Sequence, residues 1–219
     1  KDGSAYQNGI NGRMPIEDIY LYPLLKSSDI GSGKVRDIRK YVLVTQKFVG
    51  EDTSQIKTNA PKTWRYLTDN SDLIEKRSSS IYRNRPPFSI FGVGDYSFSP
   101  WKVAISGFYK NLHFKVVGPY QGKPVVFDDT INFLSCETKD EAHFLVTLLN
   151  SDIAQTFYNS MIFWADKRPI TIEILKRLNL HALSIELGLE KKYLQFTHSK
   201  NVTYIKPRIG HKMPVFSKS

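Results

Sequence analysis

Basic and aromatic residues alternate through the central part of the sequence, between Lys62 and Lys115. This stretch holds nine Lys and Arg residues against four Asp and Glu residues. Lys and Arg can neutralise phosphates or pair with guanine edges, and aromatic rings can stack on a displaced base. The mixture therefore predicts a DNA-facing surface. The same aromatics also suit a core behind solvated charges, and we expect about half of them to be buried.

Eight basic or aromatic residues are predicted to contact DNA. They are Lys26, Arg65, Arg77, Arg83, Arg85, Trp101, Lys102 and Lys110. The charge of the whole chain favours a polyanionic partner, since 31 Lys and Arg residues exceed 21 Asp and Glu residues and the sequence pI is about 9.5. An anionic membrane surface is the competing partner, but the expected basic amphipathic helix is not evident in the sequence. Double-stranded DNA is therefore the predicted partner.

A second candidate chemistry lies at Asp128 and Asp129, because adjacent carboxylates can bind Mg²⁺ when a third ligand joins them. A Mg²⁺-dependent nuclease is thus an alternative hypothesis. The sequence after this pair supplies neither an obvious third ligand nor an acid-x-Lys pattern on a strand, so a turn at a strand end is the favoured interpretation. A basic domain that docks another protein is a further alternative.

Other residues with catalytic or ligand-binding potential lack the partner residues that such sites need. Cys136 is the only cysteine, which indicates a small buried hydrophobe. The five His residues show no metal-binding spacing, so no metal site is predicted. Gly92-Val93-Gly94 lacks the third glycine and the following helix of a dinucleotide fingerprint, and a tight turn between two strands is expected there.

Strands are predicted to position most of the candidate DNA contacts. β-branched and apolar residues indicate strands near residues 39–45, 102–107, 112–117, 124–129 and 130–135, with two short strands around the turn in 88–98. A helix is expected from about Ala60 to Leu67 and then on through Asp72 to Ile81, with a cap or turn near Asp69-Asn70-Ser71 as a candidate break. Residues 1–18 are predicted to be a loose lead-in, with order beginning near Ile16.

The pattern changes at Thr138, where Thr138-Lys139-Asp140-Glu141 has the form of a capping box. A helix through Asn150 should follow, then a second capped by Ser151, and a third after Pro169. Strands followed by helices predict an α+β fold, strand-rich to about residue 137 and helical from about 138, within a domain spanning 19–182. The basic segment 183–219 is expected to be a solvated tail or an extension that packs on a neighbouring domain.

Several segments together resemble a known family, the C-terminal specificity domain of Taq-type N6-adenine DNA methyltransferases and fused restriction–modification enzymes. The similar segments are Leu21–Ile30, Trp64–Leu67, Lys76–Tyr82 and Phe88–Tyr96. The later segment Phe144–Ser151 is similar to the Leu-Asn-Ser helix that closes such domains. The resemblance covers roughly residues 20–180.

This resemblance implies a β-helix-like bundle of strands followed by an α-helical hairpin. It also implies a methyl-transfer domain upstream in the same polypeptide, with S-adenosylmethionine as the cofactor of that parent enzyme. The tetrad Asn/Asp-Pro-Pro-Tyr/Phe that clamps the target adenine is not present, because Arg85-Pro86-Pro87-Phe88 begins with Arg. A Gly-rich S-adenosylmethionine loop is also lacking. We therefore expect no catalytic residue and no cofactor in this chain.

The chain begins at Lys1, without Met and without the apolar stretch of a secretory signal. We expect a fragment of a larger cytoplasmic polypeptide. No run of eighteen apolar residues occurs, so no membrane partner is predicted.

Overall fold

The computed structural model describes residues 6–8, 12–72, 84–197 and 215–218. Within these ranges the strands are β1 Tyr6–Asn8, β2 Gly12–Met14, β3 Leu21–Leu25, β4 Lys40–Leu43, β5 Trp101–Ser106, β6 Lys115–Val117, β7 Val126–Phe127, β8 Ile131–Cys136 and β9 Val215–Lys218. The helices are α1 Ser27–Gly31, α2 Ile56–Asn59, α3 Pro61–Asp69, α4 Asp95–Phe98, α5 Lys139–Leu149, α6 Asp152–Asn159, α7 Ile172–Leu175, α8 Leu180–Glu186 and α9 Glu190–Thr197, with a 3₁₀ turn at Asp18–Tyr20.

The described strands form two sheets. One has the order β2-β1-β9-β4-β3-β7 and the other has the order β6-β5-β8. All pairs are antiparallel except β3 with β7, in which Leu24 lies opposite Val126. The helices α5 to α9 follow β8 in the chain. The predicted α+β class is confirmed, and the finer expectation of a β-helix-like bundle remains a prediction.

The smaller sheet is covered on both faces. Val103 and Ile105 of β5 pack into a cluster with α5 and α6, whereas Ala104 packs with β3, α1 and β7. A strand between two layers buries both sets of alternating side chains, which explains why nearly every residue of β5 and β8 is buried. The two sheets and the helical layer therefore share a contiguous interior.

The helical half begins at the predicted cap. Thr138 Oγ1 accepts a hydrogen bond from the backbone N–H of Glu141 at 3.1 Å, as the capping-box pattern predicts. The Glu141 carboxylate reaches back one residue further than expected and accepts from the N–H of Glu137 at 2.8 Å. Ser151 caps α6 as predicted, through the N–H of Ala154. The chain's change from strands to helices is thus fixed by local hydrogen bonds.

Both chain termini depart from the predictions. The segment expected to be a loose lead-in contains β1 and β2. The segment 183–219, expected to be a solvated tail or an extension that packs on a neighbouring domain, contains the end of α8, all of α9 and β9. Tyr6 packs edge-on against Tyr41 with 5.5 Å between ring centroids, and Phe216 packs in the same way against Tyr66. β9 lies between β1 and β4, so burial of these aromatics outweighs the polar composition around them.

Residues 88–98 form a loop and the one-turn helix α4, so the prediction of two strands around a Gly turn is wrong. Phe88 packs edge-on against Trp64 of α3, with ring centroids 5.4 Å apart. Gly92 adopts φ 73°, a conformation that favours glycine. The apolar residues are therefore buried without a strand partner.

No helix in the described part of the chain is long and apolar enough to cross a bilayer. The longest described helix, α5, has 11 residues. A spanning helix needs about 20.

Helix α3 begins with Pro61 and has no cap from Ala60. Its first N–H groups instead meet the carboxylate of Glu17, which accepts from Lys62 N at 2.9 Å and from Thr63 N at 2.8 Å. Burial alone would raise the pKa of Glu17, but the hydrogen bonds from Thr63 and Lys62 lower it below its usual value. A distant residue thus supplies the cap that the helix lacks.

We predict that Glu17→Ala lowers the free energy of unfolding by about 1 kcal/mol, the usual cost of losing a cap. Because the folded-state pKa of Glu17 is depressed, its contribution is present at neutral pH and is lost as the pH falls through that pKa. Urea unfolding at neutral and acidic pH measures both effects. Glu186→Ala, which removes an exposed carboxylate from the last turn of α8, is the control and should be nearly neutral. Equal stability of the two variants would contradict the capping role.

Candidate nucleic-acid interface

Six of the eight predicted DNA contacts lie in the described part of the chain. Arg77 and Arg83 fall outside the described residues. The six are distributed over two ends of strand β3 and over the smaller sheet, so they do not form one continuous row. Each group is built by different elements.

Lys26 and Lys110 lie at the end of β3 where that strand meets α1. The backbone carbonyl of Thr130 accepts from Ser27 Oγ at 2.7 Å and from Gly107 N at 2.8 Å, which joins α1 to the loop 107–110. The ring of Tyr109 lies against Gly31, where an added Cβ would be 2.5 Å from the ring. Glycine at position 31 therefore allows the loop to approach α1, and the structure brings Lys26 and Lys110 into one region.

Tyr109 itself is 43% exposed. It stands beside Lys110, which is also exposed. An exposed ring next to ammonium groups is the combination that suits contact with a sugar–phosphate backbone or a base face.

Arg85 lies in the loop 84–91, which polar side chains of the preceding segment hold in place. Thr45 Oγ1 donates to the carbonyl of Phe88 at 2.8 Å, and Thr53 Oγ1 donates to the carbonyl of Pro87 at 2.7 Å. Gln46 Oε1 accepts from the N–H of Ile90 at 3.0 Å. These side chains are buried, so the loop is fastened from its inner side and its outer side stays accessible.

The guanidinium of Arg85 lies over Gly50. A Cβ added at Gly50 would be 3.3 Å from Nη1 of Arg85, and Gly50 adopts φ 91°. The 47–54 loop therefore has a glycine both for its own turn and for the close approach of the arginine.

Arg65 projects from helix α3, whose opposite face buries Tyr66 and Leu67. Its side chain is 85% exposed and pairs with Asp69 one turn along the helix at 3.8 Å. Exposed ion pairs of this kind contribute little to stability, so another anion can readily replace the carboxylate. Arg65 is therefore an available surface cation.

The Arg85 loop and the Lys26 region lie at opposite ends of β3. Lys26 follows the last residue of the strand, whereas antiparallel β4 places residues 44–46 beside its first residue, Leu21. A five-residue strand spans about 13 Å between its terminal Cα atoms. The predicted contacts therefore form two groups, one beyond each end of this strand.

Trp101 opens β5 and is half-buried. Its ring lies against Gly118, where an added Cβ would be 2.5 Å from the indole, and it packs on the cluster between the small sheet and the helices. Most of the indole is occupied by the protein, which makes Trp101 a packing residue with one accessible side.

Lys102 is not at the surface, and its prediction as a surface contact is wrong. The residue is 1% exposed, and Nζ donates to the carbonyl of Ser99 at 2.6 Å. The rings of Phe127 and Phe133 lie 6.0 Å from Nζ. Burial lowers the pKa of Lys102 to about 7, although Cys136 and Glu137 act in the opposite direction. The alternation of side chains along β5 did not predict the burial of Lys102, because both faces of this sheet are covered.

Of the predicted surface cations in the described ranges, Arg65 alone is paired with an acidic side chain. In the described ranges, the ion pairs of Lys and Arg are Arg39 with Asp37 and Arg65 with Asp69. Within those same ranges Lys26, Arg85 and Lys110 form no ion pair. The charges of Arg85 and Lys110 are available to an external anion, whereas Lys26 also interacts electrostatically with Asp128.

A further cation, absent from the predicted contacts, lies against the loop that carries Lys110. Arg168 places its guanidinium 4.5 Å from the ring centroid of Phe108, and Asn132 ties the loop of Arg168 to the small sheet through the carbonyl of Ile170 at 3.2 Å. Phe163 in this loop is 67% exposed. The sequence repeats the basic-aromatic pattern of the central stretch here, with Phe163-Trp164 followed by Lys167-Arg168. That repetition could have identified Arg168 as a candidate contact.

Asp128 takes part in a turn, as the favoured interpretation predicts. Its Oδ1 accepts from the N–H of Thr130 at 3.0 Å and from the Thr130 hydroxyl. Burial raises the pKa of Asp128 despite these bonds. Among the described residues no three His, Cys, Asp or Glu side chains are grouped as metal ligands would be.

Comparison with known proteins supplies the decisive observation. The chain is 48% identical over 184 residues to Type II methyltransferase M.NspV from Nostoc sp. (strain ATCC 29411 / PCC 7524). The chain is related to a Type II methyltransferase. The aligned region covers 84% of this chain and 38% of that protein, so the chain spans less than half of the relative's length. No protein-family model matches the chain, and no solved structure matches it.

We predict that Lys102→Met removes a pH dependence of folding. Because the folded-state pKa of about 7 lies below the unfolded value, the unfolded chain binds more protons between the two values, and the free energy of unfolding rises with pH across that window. The rise should be roughly 2 kcal/mol from about pH 7 to about pH 9. Urea unfolding of the wild type should show it and Lys102→Met should lose it.

Lys110→Met serves as the control, since Lys110 is exposed and its replacement should leave the rise intact. If wild type and Lys102→Met had the same pH dependence, the burial of Lys102 would be disproved.

Proposed function

We propose that this chain is the DNA target-recognition module of an adenine-specific DNA methyltransferase or fused restriction–modification enzyme. The observation that supports it most strongly is the 48% identity to a Type II methyltransferase, confined to 38% of that protein. A region of that extent, without a catalytic tetrad, suits the part of such an enzyme that selects the site. The proposed partners are double-stranded DNA and an upstream methyl-transfer domain of the same polypeptide.

Two basic regions, Lys26 with Lys110 and Arg65 with Arg85, are proposed to make both kinds of contact that a DNA-recognition domain needs. Contacts to phosphates set the register and orientation of a protein on DNA, and contacts to base edges supply the specificity. Lys26 and Lys110 at one end of β3, and Arg65 and Arg85 towards the other, are proposed to contact DNA. Trp101 keeps one accessible side and stays in the proposal, as do Arg77 and Arg83. Lys102 does not, because it is buried.

Methyl transfer is proposed to occur in the upstream domain, where S-adenosylmethionine would supply the methyl group. The residues of this chain do not fit that role. Arg85 stands at the first position of the segment that most resembles an adenine-binding tetrad. Its guanidinium has only hydrogen-bond donors, and the amino group of the target adenine is also a donor. The carbonyls of Pro86 and Pro87 already accept from Ser89 and Thr53 at 2.6 and 2.7 Å. We derive no catalytic step from this chain.

The nuclease alternative finds no support at its proposed centre. Asp128 is committed to its turn with Thr130, and burial favours the protonated carboxyl over the charged ligand that Mg²⁺ needs. A protein-docking role would be indicated by tight association with a protein and no binding of DNA at low salt.

We predict that the chain binds duplex DNA with an affinity that falls steeply with salt, and that Lys26→Ala and Lys110→Ala each weaken binding. Each lost phosphate contact should reduce the slope of log K against log salt by about 1. Fluorescence anisotropy with a labelled duplex over a series of salt concentrations gives both quantities.

Lys191→Ala is the matched control, because Lys191 is an exposed lysine on α9, outside the two basic regions. It should leave affinity and slope unchanged. The assignment fails if Lys191→Ala weakens binding as much as the other two variants do, or if wild type shows no binding at low salt.

A further inference from the structure

We infer that Arg85 determines specificity by donating two hydrogen bonds to a guanine in the major groove, and that Arg65 contacts phosphate only. This inference rests on the proposed function, since it assigns a base contact within the DNA-recognition surface. It assigns different roles to Arg85 and Arg65, which the sequence pattern predicts as equivalent DNA contacts. The difference is inferred from the structure that surrounds each side chain.

The backbone beneath Arg85 is held more firmly than an ordinary surface loop. Buried hydroxyls of Thr45 and Thr53 donate to two of its carbonyls, and the buried amide of Gln46 accepts from its N–H at residue 90. The Ser89 hydroxyl donates to the carbonyl of Pro86, which closes the turn directly after the arginine. Two consecutive prolines restrict the backbone further. The Cα of Arg85 is therefore presented in a fixed position.

The loop also contains a costly backbone conformation. Phe88 adopts φ 59°, which a bulky side chain rarely takes, and it is buried against Trp64. Such a conformation persists only where the surroundings determine it strongly, and it occurs most often at functional positions. Here the surroundings are the hydrogen bonds from the 45–53 segment and the ring contact with α3.

The guanidinium of Arg85, an exposed residue, lies next to the 47–54 loop. Nη1 lies close above Gly50, whose lack of a side chain leaves room for it. Arg85 has no ion pair in the described part of the chain, so its donors are available. In contrast, the Arg65 side chain extends from a helix with 85% exposure and shares Asp69.

Base recognition needs this fixed geometry, whereas phosphate attraction does not. A guanidinium can donate in parallel to O6 and N7 of guanine, and such a bond pair has direction as well as charge. A group held by its neighbours reproduces that direction without ordering on binding. An exposed cation such as Arg65, whose guanidinium shares a carboxylate on its own helix, suits attraction to a phosphate, which needs charge and no fixed direction.

The test is selection of bound sequences from a randomised duplex pool by the 219-residue chain, followed by sequencing. Wild type, Arg85→Lys, Arg85→Ala and Arg65→Ala are compared, with thermal unfolding to verify each fold. Lys retains the charge of Arg85 but not the two parallel donors, so Arg85→Lys separates base recognition from phosphate attraction. The wild type should select a motif that contains an invariant G·C pair.

Both Arg85 variants should lose preference at that one pair by on the order of ten-fold to a hundred-fold. Arg65→Ala should bind more weakly to all sequences and select the wild-type motif. The inference is overturned if Arg85→Lys selects the same motif as wild type with undiminished preference. If the wild type selects no motif, the proposed function itself fails, which is a distinct result. Should Arg85→Ala not fold, Arg85→Lys alone decides.

Discussion

The backbone at residues 86–90 belongs to no strand, and the buried polar side chains of Thr45, Gln46 and Thr53 supply hydrogen bonds that a strand partner would otherwise provide. Unsatisfied backbone groups in the interior are costly, so these contacts are a condition for burying Phe88. The same contacts fix the position of Arg85 at the surface. Core formation and presentation of a basic side chain therefore depend on one set of hydrogen bonds, which lies between the segment after β4 and the loop before α4.

The rest of the fold places cations at both ends of β3. At one end, α1 and loop 107–110 are joined through the carbonyl of Thr130. At the other, α3 begins on the distant carboxylate of Glu17 and presents Arg65 outward. The helical layer covers one face of the small sheet, and Lys102 of β5 lies buried inside. These surfaces are the ones that the proposed recognition of DNA would use, in a chain related to a Type II methyltransferase.

Local patterns were the part of this structure that the sequence could predict. The capping residues Thr138 and Ser151 and the strands β4, β5 and β8 depend on neighbouring residues, and they were recognised. Long-range pairing was not recognisable. Strand β9 joins the sheet beside β4 although more than 170 residues separate them, and its polar surroundings suggested a tail. The burial of Lys102 likewise depends on two layers that meet only in the folded chain, so alternation along β5 could not reveal it.

Hydrogen–deuterium exchange of the chain with and without duplex DNA tests the central claim most directly, because it locates the contact surface without altering any residue. The account predicts that DNA slows exchange in the loops 84–91 and 107–110 and in α1, while α8 and α9 exchange as before. Slowed exchange confined to α8 and α9, or no change in any loop at a DNA concentration that saturates binding, would contradict it.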